Sequence, residues 1–150
     1  MLKGISPLLT PELLKVLMEM GHDDALVLAD ANFTAMRIAA GKPVLRLPGT
    51  AMLSAVQAID AIFPLAADVD HPVAFMQVSG TQSPYRSELQ RNVLDSLAPG
   101  LLPGQSAESL ERFAFYERAR AAYAIVVTGE LQPFGNFILR KGAIGENLRP

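Results

Sequence analysis

Only two histidines stand in the sequence, His22 and His71, so any chemistry that needs an imidazole has two candidates. Histidine titrates nearest neutral pH when unperturbed, which suits it to moving protons between oxygen atoms without help from a metal. His22 follows Gly21 directly and precedes Asp23 and Asp24, with a further carboxylate at Asp30. A place just past a helix end would favour its imidazolium form through the negative end of the helix dipole. The plainer reading is that His22 is a helix C-cap residue and that Asp30 caps a turn through its side chain. His71 precedes Pro72 in an expected loop, where a structural role is the stronger reading. Arg112-Phe-Ala-Phe-Tyr-Glu-Arg118 mixes aromatics with cations on one expected helix. Most of it reads as amphipathic packing with Phe113 and Phe115 in the core, while Arg112 or Tyr116 could reach a cleft.

Other chemistries are excluded by composition or spacing. The chain has no Cys, which removes disulfides, iron–sulfur clusters, thiol catalysis and Cys-based zinc sites, and fits a reducing compartment. Neither a phosphate-binding glycine loop nor a G-x-S-x-G elbow occurs. Two dispersed histidines and scattered acids lack metal-ligand spacing, so neither a metal nor a cofactor is expected. Thirteen Lys and Arg against fifteen Asp and Glu give a net charge of -2 without a basic stripe, which argues against a nucleic-acid partner. Zero Trp removes an indole platform for stacking sugars. No apolar run approaches the ~20 residues that span a bilayer. The opening Met1-Leu2-Lys3-Gly4 lacks the apolar stretch of a signal peptide. The expectation is a cytoplasmic protein with no membrane partner.

The elements that must position these groups follow from capping and periodicity. Half of the 150 residues are apolar and mean hydropathy is +0.24. That suffices for one domain over 1–150 with a sizeable core. Thr10-Pro11 starts a helix that ends near Met20, with Leu13, Leu14, Leu17 and Met18 on one face. Ala25 to Ala29 reads as a buried strand. A mixed loop follows, and then Pro43 to Leu47 as a weaker strand. Thr50 is expected to cap a helix carrying Leu53, Val56, Ile59 and Ile62, stopped by Pro64. Val73 to Val78 is a third strand. Ser83-Pro84 repeats the cap-then-proline signal for a helix carrying Leu89, Val93 and Leu97. Residues 105–111 either extend the helix expected over Arg112 to Tyr123 or form an extended lead-in. Ala124 to Thr128 and Asn136 to Arg140 are strands too close in sequence for a crossover helix, hence antiparallel. The fold class is therefore α/β, a single layered domain with a mixed β-sheet flanked by helices. One difficulty remains: a strand over 25–29 spans about 17 Å. His22 and Asp30 meet only if the chain folds back or a neighbouring copy brings them together.

Four stretches go beyond these generic signals. They are Met-Leu-Lys-Gly-Ile-Ser-Pro-Leu-Leu (1–9), the segment 11–30 ending in Gly-His-Asp-Asp-Ala-Leu-Val-Leu-Ala-Asp, Arg-Phe-Ala-Phe-Tyr-Glu-Arg-Ala (112–119), and Val-Val-Thr-Gly-Glu (126–130) with Phe-Gly-Asn-Phe-Ile-Leu-Arg-Lys-Gly (134–142). In this order they resemble the ribose pyranase and fucose mutarotase family, and the fucose mutarotase branch more closely; the middle of the chain, about 35–105, is less similar. The resemblance implies an isomerase that opens and recloses a monosaccharide ring, L-fucose or a related sugar, by acid–base chemistry without a cofactor. It also implies a ring-shaped homo-oligomer, commonly a decamer, with sites at subunit contacts. By the same resemblance His22 is the catalytic acid, and Asp30, Arg112, Phe134, Gly135 and Asn136 bind substrate. Tyr116 is a further candidate from the aromatic helix. Departures from the family pattern are Asp23 in place of Gly, Asn32 and Thr34 in place of His and Pro, and Phe134 in place of Tyr. Two alternatives stay open: a non-catalytic monosaccharide-binding or sugar-transport accessory protein, and a ribose pyranase. A structural oligomer without ligand is the blandest reading.

Overall fold

The run Ala25-Leu-Val-Leu-Ala29 sets the architecture. Leu26 and Leu28 point to one side of the strand and Val27 and Ala29 to the other, and all four are fully buried. A strand that is apolar on both sides must lie between two covering layers. The computed structural model describes residues 1–145 and has this arrangement. In chain order its main elements are α1 (Pro11–Glu19), β1 (Ala25–Ala29), α2 (Ala35–Ala39), β2 (Val44–Leu47), α3 (Met52–Asp60), β3 (Val73–Met76), α4 (Glu88–Leu97), β4 (Ala107–Leu110), α5 (Arg112–Arg120), β5 (Ala124–Thr128) and β6 (Phe137–Arg140). The strands form one sheet in the order β2-β5-β1-β6-β3-β4. β6 runs antiparallel to β1 and β3, and the other neighbours are parallel. Helices α1, α3 and α4 cover the face of Leu26 and Leu28, while α2 and α5 cover that of Val27 and Ala29. The fold is thus α/β with a mixed sheet between helical layers. Residues 146–150 of the expected 1–150 domain lie outside the described residues. No helix of the described residues is long and apolar enough to cross a membrane.

Several expectations need correction, each for a local reason. Thr10 does cap α1, its hydroxyl accepting from the Leu13 N–H at 3.2 Å. Thr50 does not cap α3, which starts after Ala51 without a side-chain cap. The Thr50 backbone is engaged elsewhere, donating to the Leu47 carbonyl and accepting from Gly129 N–H. Ser83-Pro84 lies in the loop ahead of α4, and the cap is Ser87. Its hydroxyl accepts from Gln90 N–H while the Gln90 side chain accepts from Ser87 N–H. That is a reciprocal capping box, a stronger start signal than a proline alone. The stretch read as a loop after Asp30 contains α2, whose five residues are too few to display a helical period. β3 stops at Met76 rather than Val78, and α5 at Arg120 rather than Tyr123. The 105–111 segment is extended, with β4 parallel to β3. β5 and β6 run in opposite directions as expected, but β1 is inserted between them. Phe115 is buried, whereas Phe113 is 66% exposed and lies outside the core.

Candidate functional site

β1 and β5 are parallel, so their carboxyl ends lie at the same edge of the sheet, and antiparallel β6 begins there. Ligand clefts in α/β sheets form characteristically at such an edge. Asp30 follows β1 directly and is only 5% exposed. Its Oδ2 accepts from Asn136 Nδ2 at 3.0 Å, and its own N–H donates to Asn136 Oδ1 at 2.8 Å. Oδ1 accepts from Asn32 N–H at 3.0 Å. The turn-capping role expected for Asp30 is therefore present, and the pairing with Asn136 is added to it. A carboxylate has about four lone-pair positions. Each oxygen keeps acceptor capacity toward the cleft. Burial pushes the Asp30 carboxyl above the ordinary carboxylate range, and the charge of Glu130 adds to the rise. Hydrogen bonds from Asn32 N–H, the Asn136 amide and Phe33 N–H pull the other way.

The cleft over Asp30 has a volume of about 190 Å³ and includes Phe33, Met76, Arg112, Tyr116, Phe134 and Asn136 in its wall. Arg112 and Tyr116 lie one helical turn apart on α5, and Arg112 Nε donates to the Tyr116 hydroxyl at 3.1 Å. The Phe33 ring packs edge-on against Tyr116, with centroids 5.8 Å apart. Phe134 is half-buried, so its ring both packs against the α2/α5 side of the core and faces the cleft. Its φ of 62° is left-handed, a conformation that costs a non-glycine residue roughly 1–2 kcal/mol. Gly135 serves close approach: a Cβ there would lie 2.8 Å from Leu89 Cδ2 and 3.1 Å from the Gln132 carbonyl. It shapes the loop and is not part of the cleft wall.

His22 lies at the other end of β1, in a second groove of about 560 Å³. That groove is mostly apolar, with Leu14, Leu17, Met18, Ile62 and Ile144 among its walls. His22 Nε2 is 3.0 Å from Asp68 Oδ1, a carboxylate delivered by the loop between α3 and β3. The bond to His22 holds the Asp68 carboxyl below its usual value. The turn carrying His22 is fixed at Asp23, whose φ is 67° and whose N–H donates to the Lys141 carbonyl at 2.7 Å. Arg140 NH2 lies 2.6 Å from Asp23 Oδ1, which helps hold this turn. His71 is exposed, lies 3.1 Å from both the Ser106 carbonyl and its hydroxyl, and lines neither cleft.

The structure thus gathers Asp30, Arg112, Tyr116, Phe134 and Asn136 into one cleft and leaves His22 in another. The chain does not fold back to join them. Sequence reasoning missed Asp68, Phe33, Met76 and Gln90. For Gln90 a signal existed, since Ser87-x-x-Gln90 is a legible capping box. Asp68 had none, because only the tertiary fold brings it to His22. Among the described residues, no three His, Asp or Glu side chains come together to hold a metal ion.

The chain is similar to known proteins over nearly its whole length. The chain is 44% identical over 144 residues to an L-fucose mutarotase of Actinobacillus pleuropneumoniae, covering 95% of this chain and 96% of that protein. It is 45% identical over 144 residues to an L-fucose mutarotase of Haemophilus influenzae, with the same coverage of both chains. The crystal structure of the fucose mutarotase from Streptococcus pneumoniae in complex with L-fucose superposes with a TM-score of 0.85. That pair is 37% identical over 96% of this chain and 100% of the other. The sequence profile of the RbsD / FucU transport protein family matches residues 3–144, and the chain belongs to that family.

Proposed function

We infer that this protein is a sugar mutarotase, an isomerase that interconverts the anomers of L-fucose without a cofactor. The likeness to L-fucose mutarotases over nearly the whole chain carries this reading. The Asp30 cleft supports it with a carboxylate, an amide and a guanidinium beside aromatic rings, a surface suited to hydroxyls on one side and a methyl group on the other. In mutarotation the ring oxygen gains a proton and the anomeric hydroxyl loses one. The bond between the anomeric carbon and the ring oxygen breaks, the exposed carbonyl turns over, and the bond re-forms on the opposite face. His22 supplies and removes the proton, and its contact with Asp68 leaves Nδ1 for that exchange. Asp30 accepts from sugar hydroxyls, Asn136 and Arg112 donate, and Phe134 offers an apolar face. The absence of Cys fits a cytoplasmic site of action. The test is anomer-exchange NMR on fucose, galactose and ribose in parallel. Faster exchange, greatest for fucose, is expected. Signals that broaden without faster exchange would identify a non-catalytic binder, and pyranose–furanose exchange confined to ribose would identify a ribose pyranase.

Because His22 and the Asp30 cleft occupy opposite ends of β1, the catalytic unit is a homo-oligomer in which one copy's His22 completes its neighbour's cleft. A ring-shaped decamer is the assembly the family resemblance implies. Light scattering is expected to give a mass several times that of the 16.1 kDa chain. A monomer with full activity would overturn the shared site.

Phe134→Tyr is expected to strengthen turnover or affinity by up to about tenfold, since one hydrogen bond contributes ~0.5–1.5 kcal/mol and ~1.4 kcal/mol is a factor of ten. The effect should be smallest on fucose if the sugar's methyl sits against this ring. Exchange rates unchanged for all three sugars would mean that the Phe134 ring is structural.

A further inference from the structure

Gln90 is completely buried on the first turn of α4, yet it is a polar residue whose bonds reach well beyond that helix. Its Oε1 accepts from Ser87 N–H at 3.0 Å. Its Nε2 donates to the Met76 carbonyl at 2.7 Å, at the end of β3, and to the Phe134 carbonyl at 3.2 Å. Met76 N–H in turn donates to the Asn136 carbonyl at 3.1 Å, and the Asn136 amide donates to Asp30. One buried amide therefore ties the helix start and the strand end to the loop at Phe134, and Met76 passes the link on to the Asn136 backbone. The neighbouring Leu89 packs close to Gly135 of the same loop, where a Cβ would force its Cδ2 to shift and crowd the Gln132 carbonyl at 3.1 Å. Phe134 needs such a clamp, because a left-handed φ at a non-glycine residue persists only where surrounding bonds hold it.

We propose that Gln90 is a positioning residue for sugar binding: it holds the left-handed turn at Phe134 and the Asn136 backbone, and through them orients the Asn136–Asp30 pair toward the substrate. This rests on the reading of the Asp30 cleft as the sugar site. Gln90 touches no substrate itself, since its side chain is spent on backbone partners. It belongs to the binding end of β1 and not to the His22 end, so its removal acts on substrate affinity and not on proton transfer.

The test compares Gln90→Met, which keeps the volume and removes the donor, with Ser87→Ala, which weakens the helix cap and leaves the amide clamp. Both variants should lose thermal stability. Gln90→Met should raise the KM for L-fucose about tenfold while kcat and its pH profile stay as in the wild type. Ser87→Ala should leave KM unchanged. In sugar-free protein, the Asn136 side-chain amide resonances should move in Gln90→Met and stay in place in Ser87→Ala. That readout requires no turnover, so failure of the clamp is distinguishable from failure of the mutarotase reading. Equal KM changes in the two variants would overturn the proposal, as would Gln90→Met with wild-type KM and unmoved Asn136 resonances. Should Gln90→Met not fold, the wild type decides: the Gln90 amide protons should exchange slowly with solvent and shift when L-fucose is added. Fast exchange or no shift would refute the clamp.

Discussion

His22→Asn is expected to abolish accelerated anomer exchange and to leave the fold and the assembly unchanged. The side chain is about half exposed (49%), and its hydrogen bond to a described residue is the one to Asp68, so little of the core depends on it. General acid–base help contributes typically ~10²–10⁴-fold, and Asn retains hydrogen-bonding shape without a group that titrates near neutral pH. Exchange NMR should therefore report a rate close to the uncatalysed one, while circular dichroism and light scattering match the wild type. Retained exchange would mean that the proton is moved by another group, and Tyr116 or Asp30 in the opposite cleft would be the candidates. A smaller stability effect accompanies the loss. The Asp68 carboxyl is held below its usual value first by the His22 hydrogen bond. Its contribution is present above the unfolded carboxylate pKa and is lost as pH falls through the folded one. The substitution should accordingly weaken stability only slightly, because both groups are exposed and screened, and only in acid below the ordinary aspartate range is the difference from the wild type lost.

The parts of this site legible in the sequence are those whose chemistry is local. Thr10-Pro11 and the apolar run 25–29 placed α1 and β1, and so fixed His22 and Asp30 at the two ends of one strand. The strand's length alone keeps those two side chains apart within one copy. What stayed hidden is set by the tertiary fold. Asp68 meets His22 across 46 residues, and Gln90 reaches Phe134 across 44. No periodicity marks either partner. Thr50 and Ser83 are both residues able to cap a helix, and neither does so here. A residue able to cap a helix does so only when the chain is not already committed to another bond, and the Thr50 backbone is committed to Leu47 and Gly129. Phe113 shows the converse. Its place on an amphipathic helix predicts a core ring, but α5 turns it outward beside Arg112, whose guanidinium carbon lies 5.5 Å from the ring centre.

Asp30→Asn is expected to weaken L-fucose binding by about 10- to 100-fold, the equivalent of losing hydrogen bonds to a charged acceptor at ~1.5–3 kcal/mol. The substitution also places an amide opposite the Asn136 amide that now donates to Oδ2 at 3.0 Å. The one remaining oxygen can serve either the Asn136 amide or the Asn32 N–H, so one of the two acceptor oxygens is lost and an N–H group takes its place. Asp30→Ala should be worse for the fold. It leaves the buried Asn136 amide and the Asn32 N–H without their acceptor, at about 1–3 kcal/mol for a buried unsatisfied group. The wild type should show two opposite trends with pH. Burial raises the folded pKa of Asp30 above its unfolded value, so the native state binds the proton more readily than the unfolded chain does. Stability from this group is then fully present below the unfolded carboxylate pKa and is lost as pH rises through the folded one. Sugar binding runs the other way, because the ionised carboxylate is the better acceptor for hydroxyl donors. Affinity should therefore rise with pH across the window in which this contribution to stability falls, and both trends should vanish in Asp30→Asn. Calorimetric titration with L-fucose alongside thermal melts over mildly acidic pH reads both at once. Affinity that is flat through that window in the wild type, or a pH dependence that survives in Asp30→Asn, would show that Asp30 is a structural carboxylate and that the sugar is anchored elsewhere.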